Sequence, residues 1–383
     1  MTNAQEFHIN VPQSVLDDLN ERLTNTRWPD QIDNDKWELG TNLNYLQEIC
    51  SYWLNQYDWR KWEALLNGFP HYKAVVDGQS IHFIYQRGKG PNPIPLVLTH
   101  GWPDSFFRMY KIIPMLTDPA RFGKDPVDSF DLVVPSFPGF GFSDKPTQPG
   151  MNLGRTAERW HSLMTQILDY PRYAAAGGDG GAAVSELLGL KYPGALIGIH
   201  LTDVAFQAGL NADPKTFSKA EKKYMNHMEE VGMKEGAYAM LQGTKPQSLA
   251  YALNDSPVGL AAWIVEKFRA WSDCDGDVER VYTKDELLTN IMIYWVTQTI
   301  GSSIRGYYEE TNHSSYKPGD WVTVPVGMAV FPKDNPPPRE FAERGLNIQQ
   351  WTEMPHGGHF AALEEPEALA DELRAFFRPL RRS

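Results

Sequence analysis

The sequence predicts an α/β fold: a mostly parallel central sheet flanked by helices, with one long helical insertion. Three observations carry that reading. Short continuous apolar runs at Pro95–Thr99, Phe130–Val134, Tyr173–Ala176 and Leu196–Leu201 read as strands buried on both faces, and they alternate with helical patterns. From about residue 205 to 318 the alternation stops, and the chain turns mainly helical and rich in Tyr, Trp and Met. Sheet signals return at 321–330 and near 350–354, before a last helix from about Pro366 to Phe377. Parallel strands joined through helices take right-handed crossovers, and such sheets bind ligands beyond the C-terminal ends of their strands.

Composition narrows the function classes. With 383 residues, 42% hydrophobic and 12% aromatic, the chain can bury a large core. A formal charge of −12 argues against nucleic acid or an anionic membrane as partner. Cys50 and Cys274 match no metal spacing and read as buried free thiols of a reduced, cytoplasmic protein. The first residues show no basic flank or apolar run, so no signal peptide is expected, and no segment approaches the roughly 18 apolar residues of a membrane span.

Residues 1–75 read as a helical arm. Val15, Leu16, Leu19 and Leu23 have helical spacing, with Ser14 placed as cap and Asp17 as first-turn acid. Trp28, Trp37, Tyr45, Trp53, Tyr57, Trp59 and Trp62 follow and suggest a segment that wraps another surface by ring packing. That surface could be its own core or a second copy, which leaves a homodimer open. Ala74–Val76 and Ile81–Tyr85 flank Asp77-Gly78 and read as a hairpin. The division expected is therefore an arm (1–75), a core (76–204 and 319–383) and a helical cap (205–318) that encloses a pocket over the strand ends.

Chemistry centres on Gly177-Gly178-Asp179-Gly180-Gly181, between the strand at 173–176 and a helix. A strand feeding straight into a helix needs a sharp turn with a strained apex and small neighbours two residues away on each side. Asp179 is that apex, flanked by Gly177 and Gly181, in the pattern of a nucleophile elbow with Asp in place of Ser. A glycine-rich loop holding a phosphate is the alternative. Asp334 follows the strand ending Ala329-Val330, and His359 follows the next strand. Nucleophile, acid, histidine is the order of the α/β-hydrolase fold. Asp203, after another strand end, competes with Asp334, and His356 with His359. The oxyanion donors expected are the N–H groups of Gly180 and of Trp102, in His100-Gly101-Trp102-Pro103. His100 is expected to shape that turn.

A carboxylate is already a nucleophile at neutral pH, whereas a serine must first lose a proton. Attack on saturated carbon gives an ester, and water activated by His359, oriented by Asp334, can hydrolyse it. That predicts two-step hydrolysis of an epoxide or alkyl halide. The small-molecule substrate and water suffice, and neither cofactor nor metal is needed.

Seven segments together, in order, resemble the microsomal-type epoxide hydrolases over nearly the whole chain. They are Arg27-Trp28-Pro29-Asp30, Tyr57-Asp58-Trp59-Arg60, His100-Gly101-Trp102-Pro103, Gly177-Gly178-Asp179, Leu253-Asn254-Asp255-Ser256-Pro257, Phe331-Pro332-Lys333-Asp334 and Gly357-Gly358-His359-Phe360. The resemblance implies Asp179 as nucleophile, His359 as base and Asp334 as its partner. It also implies two cap tyrosines that hold and protonate the epoxide oxygen. Gly236-Ala237-Tyr238-Ala239 points to Tyr238, and Ser302 to Glu309 points to Tyr307, with Tyr308 as the adjacent alternative. Two positions depart from the family's pattern. Gly180 stands where members often carry Trp, which implies a wider pocket floor. Asp104 stands where Gly is usual and is expected to face solvent. The N-terminal membrane anchor of the mammalian members has no counterpart here, which implies a soluble form. Haloalkane dehalogenation shares the Asp nucleophile but commonly uses an indole donor directly after it, which Gly180 lacks. A ligand-binding relative without turnover commonly lacks a triad member, and all three are present here.

Overall fold

The apolar runs become the strands of one sheet. In the computed structural model, which describes residues 4–32, 36–203 and 206–382, the strands are β1 (Gln5–Phe7), β2 (His71–Val76), β3 (Gln79–Gln86), β4 (Ile94–Thr99), β5 (Phe130–Pro135), β6 (Tyr173–Gly177), β7 (Leu196–Leu201), β8 (Val322–Val330) and β9 (Leu346–Glu353). Their order is β1-β2-β3-β5-β4-β6-β7-β8-β9. The strands from β5 to β9 run parallel, and β1, β2 and β3 extend the sheet antiparallel. Leu96, Val97, Leu132, Val133 and the three alanines of β6 are fully buried, because helices cover both faces.

Register places the site. Thr99 pairs with Gly177, Gly177 with Leu201, and Leu201 with Met328. The C-terminal ends of β4, β6, β7 and β8 are therefore level, and the residues that follow them gather along one edge.

Three local details differ from the sequence reading. β1 was not foreseen, since three residues are too short to show a period and its pairing is supplied by β2. β9 starts at Leu346, before the 350–354 signal, with Leu346 and Ile348 facing the core. The first helix, Gln13–Thr24, begins before Ser14 with Pro12 at its N-cap and no side-chain cap. The hairpin is as expected, with Asp77 and Gly78 both at positive φ (48° and 79°).

The aromatic residues of the N-terminal segment pack as rings and also bond through their polar ends. Asp285 accepts the Tyr52 hydroxyl at 2.8 Å and the Trp62 indole N–H at 3.2 Å. Tyr57 reaches Thr289 at 3.0 Å. Asp285 and Thr289 lie on the helix Lys284–Thr297, which is buried along most of its length. The same helix bonds the turn after β4. Asn290 donates to the Pro103 carbonyl at 2.8 Å and accepts from the Ser105 hydroxyl at 2.9 Å, and Tyr294 donates to the Asp104 carbonyl at 2.6 Å. Cys50 and Cys274 are both buried and unpaired. No helix among the described residues is long and apolar enough to cross a membrane.

A buried histidine pair lies across β2 and β3. His71 Nε2 donates to the Leu66 carbonyl at 2.8 Å, so its Nδ1 accepts from His82 Nε2 at 2.8 Å, and His82 Nδ1 accepts from the Ser136 hydroxyl at 2.8 Å. Burial favours the neutral form of both rings at neutral pH. Burial lowers His71 to about 4 and His82 well below its ordinary value. A histidine whose folded pKa lies below its unfolded value stabilises the fold fully above the unfolded pKa, near 6.5, and loses that contribution as pH falls towards the folded value. We expect His71 alone to remove roughly 2 kcal/mol of stability between pH 7 and pH 5, with His82 adding to it. Urea unfolding at the two pH values measures it, and the slope should shrink in His71→Gln.

Candidate active site

The turn from β6 into the helix Gly180–Lys191 puts Asp179 at φ 54°, ψ −129°, a conformation rarely adopted by a residue with a side chain. Its neighbours explain the glycines. A Cβ on Gly177 would stand 2.6 Å from the carbonyl carbon of Gly181, and one on Gly181 would stand 2.1 Å from the Thr99 oxygen. Neither contact can be relieved without moving backbone.

The Asp179 carboxylate is divided between two environments. Oδ1 accepts the N–H of Gly180 at 2.6 Å and of Trp102 at 3.0 Å. A Cβ on Gly101 would lie 2.5 Å from that same oxygen, so only glycine lets the turn come this close. Oδ2 lies 3.6 Å from His359 Nε2. His359 Nδ1 is 2.8 Å from Asp334 Oδ1, which fixes the proton on Nδ1 and leaves Nε2 facing the nucleophile side. The His359 backbone N–H donates to the Trp271 carbonyl at 2.9 Å, and the Trp271 ring meets the imidazole edge-on at 5.1 Å. Asp203 is also close. Its Oδ2 accepts the Asp179 N–H at 2.9 Å and lies 3.9 Å from His359 Nδ1. His356, the rival base, instead pairs with Glu365 at 2.8 Å, with its side chain 59% exposed.

Charge at the site is strongly coupled. Burial raises the Asp179 carboxyl, while His359 and the two N–H donors pull it back. Burial disfavours charge on His359, but Asp334, then Asp203 and Asp179, outweigh it and push the imidazolium upward. Burial, helped by Asp203, raises Asp334, and His359 opposes that shift. The donor atoms of Asp179, Asp203 and His359 lie within 4.8 Å of one another. Asp179 Oδ1 and Asp203 Oδ2 are already hydrogen-bonded to backbone N–H groups, so this closeness does not argue for an ion.

A cavity of ≈ 310 Å³ opens over Asp179. Tyr238, on the helix Ala237–Thr244, and Tyr307, on the helix Ile300–Asn312, line it together with Phe137, Met151 and Leu153. The Trp102 ring stacks on Tyr238 at 5.4 Å and meets Tyr307 edge-on at 5.8 Å. Burial and the nearby Asp179 carboxylate raise both phenols above their ordinary value, and each also feels the other hydroxyl. Both therefore keep their protons at neutral pH. Tyr308 is not among the residues that line the cavity and is 40% exposed. Gly180 lines the cavity, and a Cβ there would stand 3.3 Å from Phe137, so that ring packs closely over the bare glycine.

Asp104 does not face solvent. It is 2% exposed, its Oδ1 accepts the Gly101 N–H at 2.7 Å, and its Oδ2 pairs with Arg108 at 2.8 Å. Burial works against its charge, but Arg108 and His100 hold its carboxyl down at about 2. The turn after β4 folds inward because its own N–H groups need acceptors, and Asp104 supplies one. Arg108, not singled out from sequence, donates its other nitrogen to the His359 carbonyl at 2.5 Å. The signal that could have found it is the Asp104/Arg108 spacing of four on a helical turn. His100 shapes the turn, with Nδ1 donating to the Gly101 carbonyl at 2.9 Å and Nε2 accepting the Phe137 N–H at 3.3 Å.

Comparison with known proteins places this geometry. The sequence model "Epoxide hydrolase N terminus" matches residues 4–109, and that of the "Alpha/beta hydrolase family" matches residues 96–372. A relative in Stigmatella aurantiaca is 45% identical over 98% of this chain and 85% of its own. Epoxide hydrolase 1 of Oryctolagus cuniculus is 36% identical over 98% of this chain and 88% of its own. This chain belongs to the microsomal-type epoxide hydrolases. Among solved structures, the Aspergillus niger epoxide hydrolase superposes with a TM-score of 0.86 at 31% identity, covering 99% of this chain and 97% of that one. The juvenile hormone epoxide hydrolase of Bombyx mori superposes at 0.85 with 29% identity, covering 100% and 95%. The α/β-hydrolase fold expected from the strand pattern is thus the fold of this epoxide hydrolase.

The buried Asp104–Arg108 pair generates a stability prediction. Arg108→Leu leaves a buried carboxylate unpaired and should cost roughly 3–5 kcal/mol in urea unfolding. The double variant Asp104→Leu/Arg108→Leu should recover part of that loss. Equal stability of Arg108→Leu and the parent would show that the pair contributes nothing.

Proposed function

We propose that this epoxide hydrolase converts an epoxide and water to a vicinal diol through an ester on Asp179. The observation that carries the reading is the division of the Asp179 carboxylate, on a residue that lines the cavity: Oδ1 between two N–H donors, Oδ2 beside His359. In this reading the helical insertion, residues 205–318, is a cap that brings Tyr238 and Tyr307 over the nucleophile.

The epoxide oxygen sits between the two phenols, and Asp179 Oδ2 attacks a ring carbon. The new C–O bond forms as the ring C–O bond breaks, and a phenol gives its proton to the departing oxygen. An alkoxide is a far stronger base than a phenolate, so even a phenol with a raised pKa can protonate it. The product is a hydroxyalkyl ester whose carbonyl oxygen is Oδ1. Alkylation also removes the negative charge facing His359 Nε2, which weakens what holds the imidazolium. His359 can then give up a proton, and the phenolate needs one. With Nε2 neutral, His359 takes a proton from water as that water attacks the ester carbon. Negative charge develops on Oδ1, where Gly180 and Trp102 already point. The intermediate then collapses and the ester C–O bond breaks. The leaving diol oxygen takes the proton back from His359, and the Asp179 carboxylic acid gives its proton to His359 to restore the resting site. Asp334 orients His359 and supports its charge.

The test is diol formation from aryl and alkyl epoxides, with Asp179→Ala beside the wild type. The wild type should form diol and the variant none; diol from Asp179→Ala would sink the reading. His359→Gln should accumulate the ester, seen as an added substrate mass on the intact protein. Tyr238→Phe and Tyr307→Phe should each slow alkylation about 100-fold while slowing ester hydrolysis far less. Haloalkane dehalogenation stays as a second reading because the Trp102 indole N–H is buried without a hydrogen-bond partner among the described residues, a donor that a leaving halide could use. Halide release from haloalkanes, measured beside diol formation, decides between the two.

A further inference from the structure

Asp203 follows β7, between the nucleophile and the base, and the reaction above gives it no part. One imidazole N–H faces two carboxylates: Nδ1 of His359 lies 2.8 Å from Asp334 Oδ1 and 3.9 Å from Asp203 Oδ2. A shift of roughly 1 Å would bring the second into hydrogen-bond range. The two side chains are equally buried, each 11% exposed.

They are held differently. Asp334 lies on a turn after β8, next to Asn335 at φ 47° and a run of prolines. Its Oδ2 makes no hydrogen bond among the described residues. Asp203 follows a strand that is paired on both sides, and its Oδ2 is anchored by the Asp179 N–H. The other charged groups around His359 are Asp179 on the Nε2 side, Arg108 on its carbonyl, and Glu364 on the next backbone N–H.

Resting on the roles given above to Asp179 and His359, we propose that Asp203 is a positioning residue for ester hydrolysis, a second carboxylate partner of His359 Nδ1. It shares with Asp334 the support of the imidazolium that forms when His359 takes the proton of water, and it can give that support alone. Its bond to the Asp179 N–H ties the base to the elbow through one side chain. The proton stays on Nδ1 throughout, and no bond to Asp203 is made or broken.

The experiment is single-turnover kinetics with an aryl epoxide that the wild type turns over, resolving alkylation from ester hydrolysis. The variants are Asp203→Asn, Asp334→Asn, the double variant and His359→Gln. Asparagine retains an oxygen for the Asp179 N–H, and melting temperatures check the fold. Asp334→Asn should slow hydrolysis about 100-fold yet stay well above His359→Gln. Asp203→Asn should slow it by about 10-fold or less and move the pH midpoint of hydrolysis downward, because one carboxylate fewer holds the proton on His359. A merely structural Asp203 would not move that midpoint. The double variant should fall to the His359→Gln rate. The proposal is overturned if Asp334→Asn is already as slow as His359→Gln, or if Asp203→Asn leaves the midpoint unchanged and adds nothing in the double variant. Absence of ester in His359→Gln would instead remove the base assignment itself, and the role of Asp203 with it.

Discussion

The most constrained contact in this structure is the approach of two backbone N–H groups to one oxygen of Asp179. One comes from the elbow itself and the other from a different strand end, so the contact requires two turns to meet within hydrogen-bond distance. Much of the surrounding architecture serves that meeting. Glycine at 101, 177 and 181 removes the atoms that would keep the turns apart. Asp104 holds the first turn from inside through the Gly101 N–H, and Arg108 joins Asp104 to the carbonyl of His359. The helix Lys284–Thr297 holds the same turn from outside through Asn290 and Tyr294. That helix is in turn gripped by Tyr52, Tyr57 and Trp62 from the N-terminal segment. The aromatic segment thus acts on the site at third hand, through a helix and a turn.

Such a chain has a physical rationale. Asp179 occupies a strained backbone conformation, which persists only where the surroundings over-determine it. Backbone donors aimed at a developing charge help only if they need no reorganisation when the charge appears. Rigid support from several elements meets both conditions.

What could be read from the sequence follows from the range of the interactions. β7 and the last helix match their expected spans, because continuous apolar runs and helical spacing are local signals. The elbow and the order Asp179, Asp334, His359 were legible because each piece sits at a strand end, and parallel strands bring those ends together. Tyr238 and Tyr307 were reachable only by resemblance, since nothing in their local sequence separates them from a packing ring. Asp104 was misplaced because its burial depends on Arg108 and Tyr294, and a carboxylate beside a turn ordinarily faces water. Arg108 and Asn290 were not singled out because their partners are remote in sequence. β1 escaped because a three-residue strand has no period of its own.

Charge gives the final constraint. Asp104, Asp179, Asp203 and Asp334 sit close together, with Arg108 and His359 as the cations among them. Four carboxylates against two cations would be costly in a low-dielectric site if all remained ionised and unsolvated. Backbone N–H groups offset part of the cost at Asp179, and one each serves Asp104 and Asp203. The remaining imbalance favours a proton on His359 in the free protein. In the proposed reaction that is an advantage only because the nucleophile is itself one of the carboxylates. Turning Asp179 into a neutral ester removes one negative charge at the moment the imidazole must become a base. A serine elbow would carry no such charge to remove. In the proposed reaction the acidic crowding around His359 thus fits a nucleophile that loses its charge before the imidazole acts as a base.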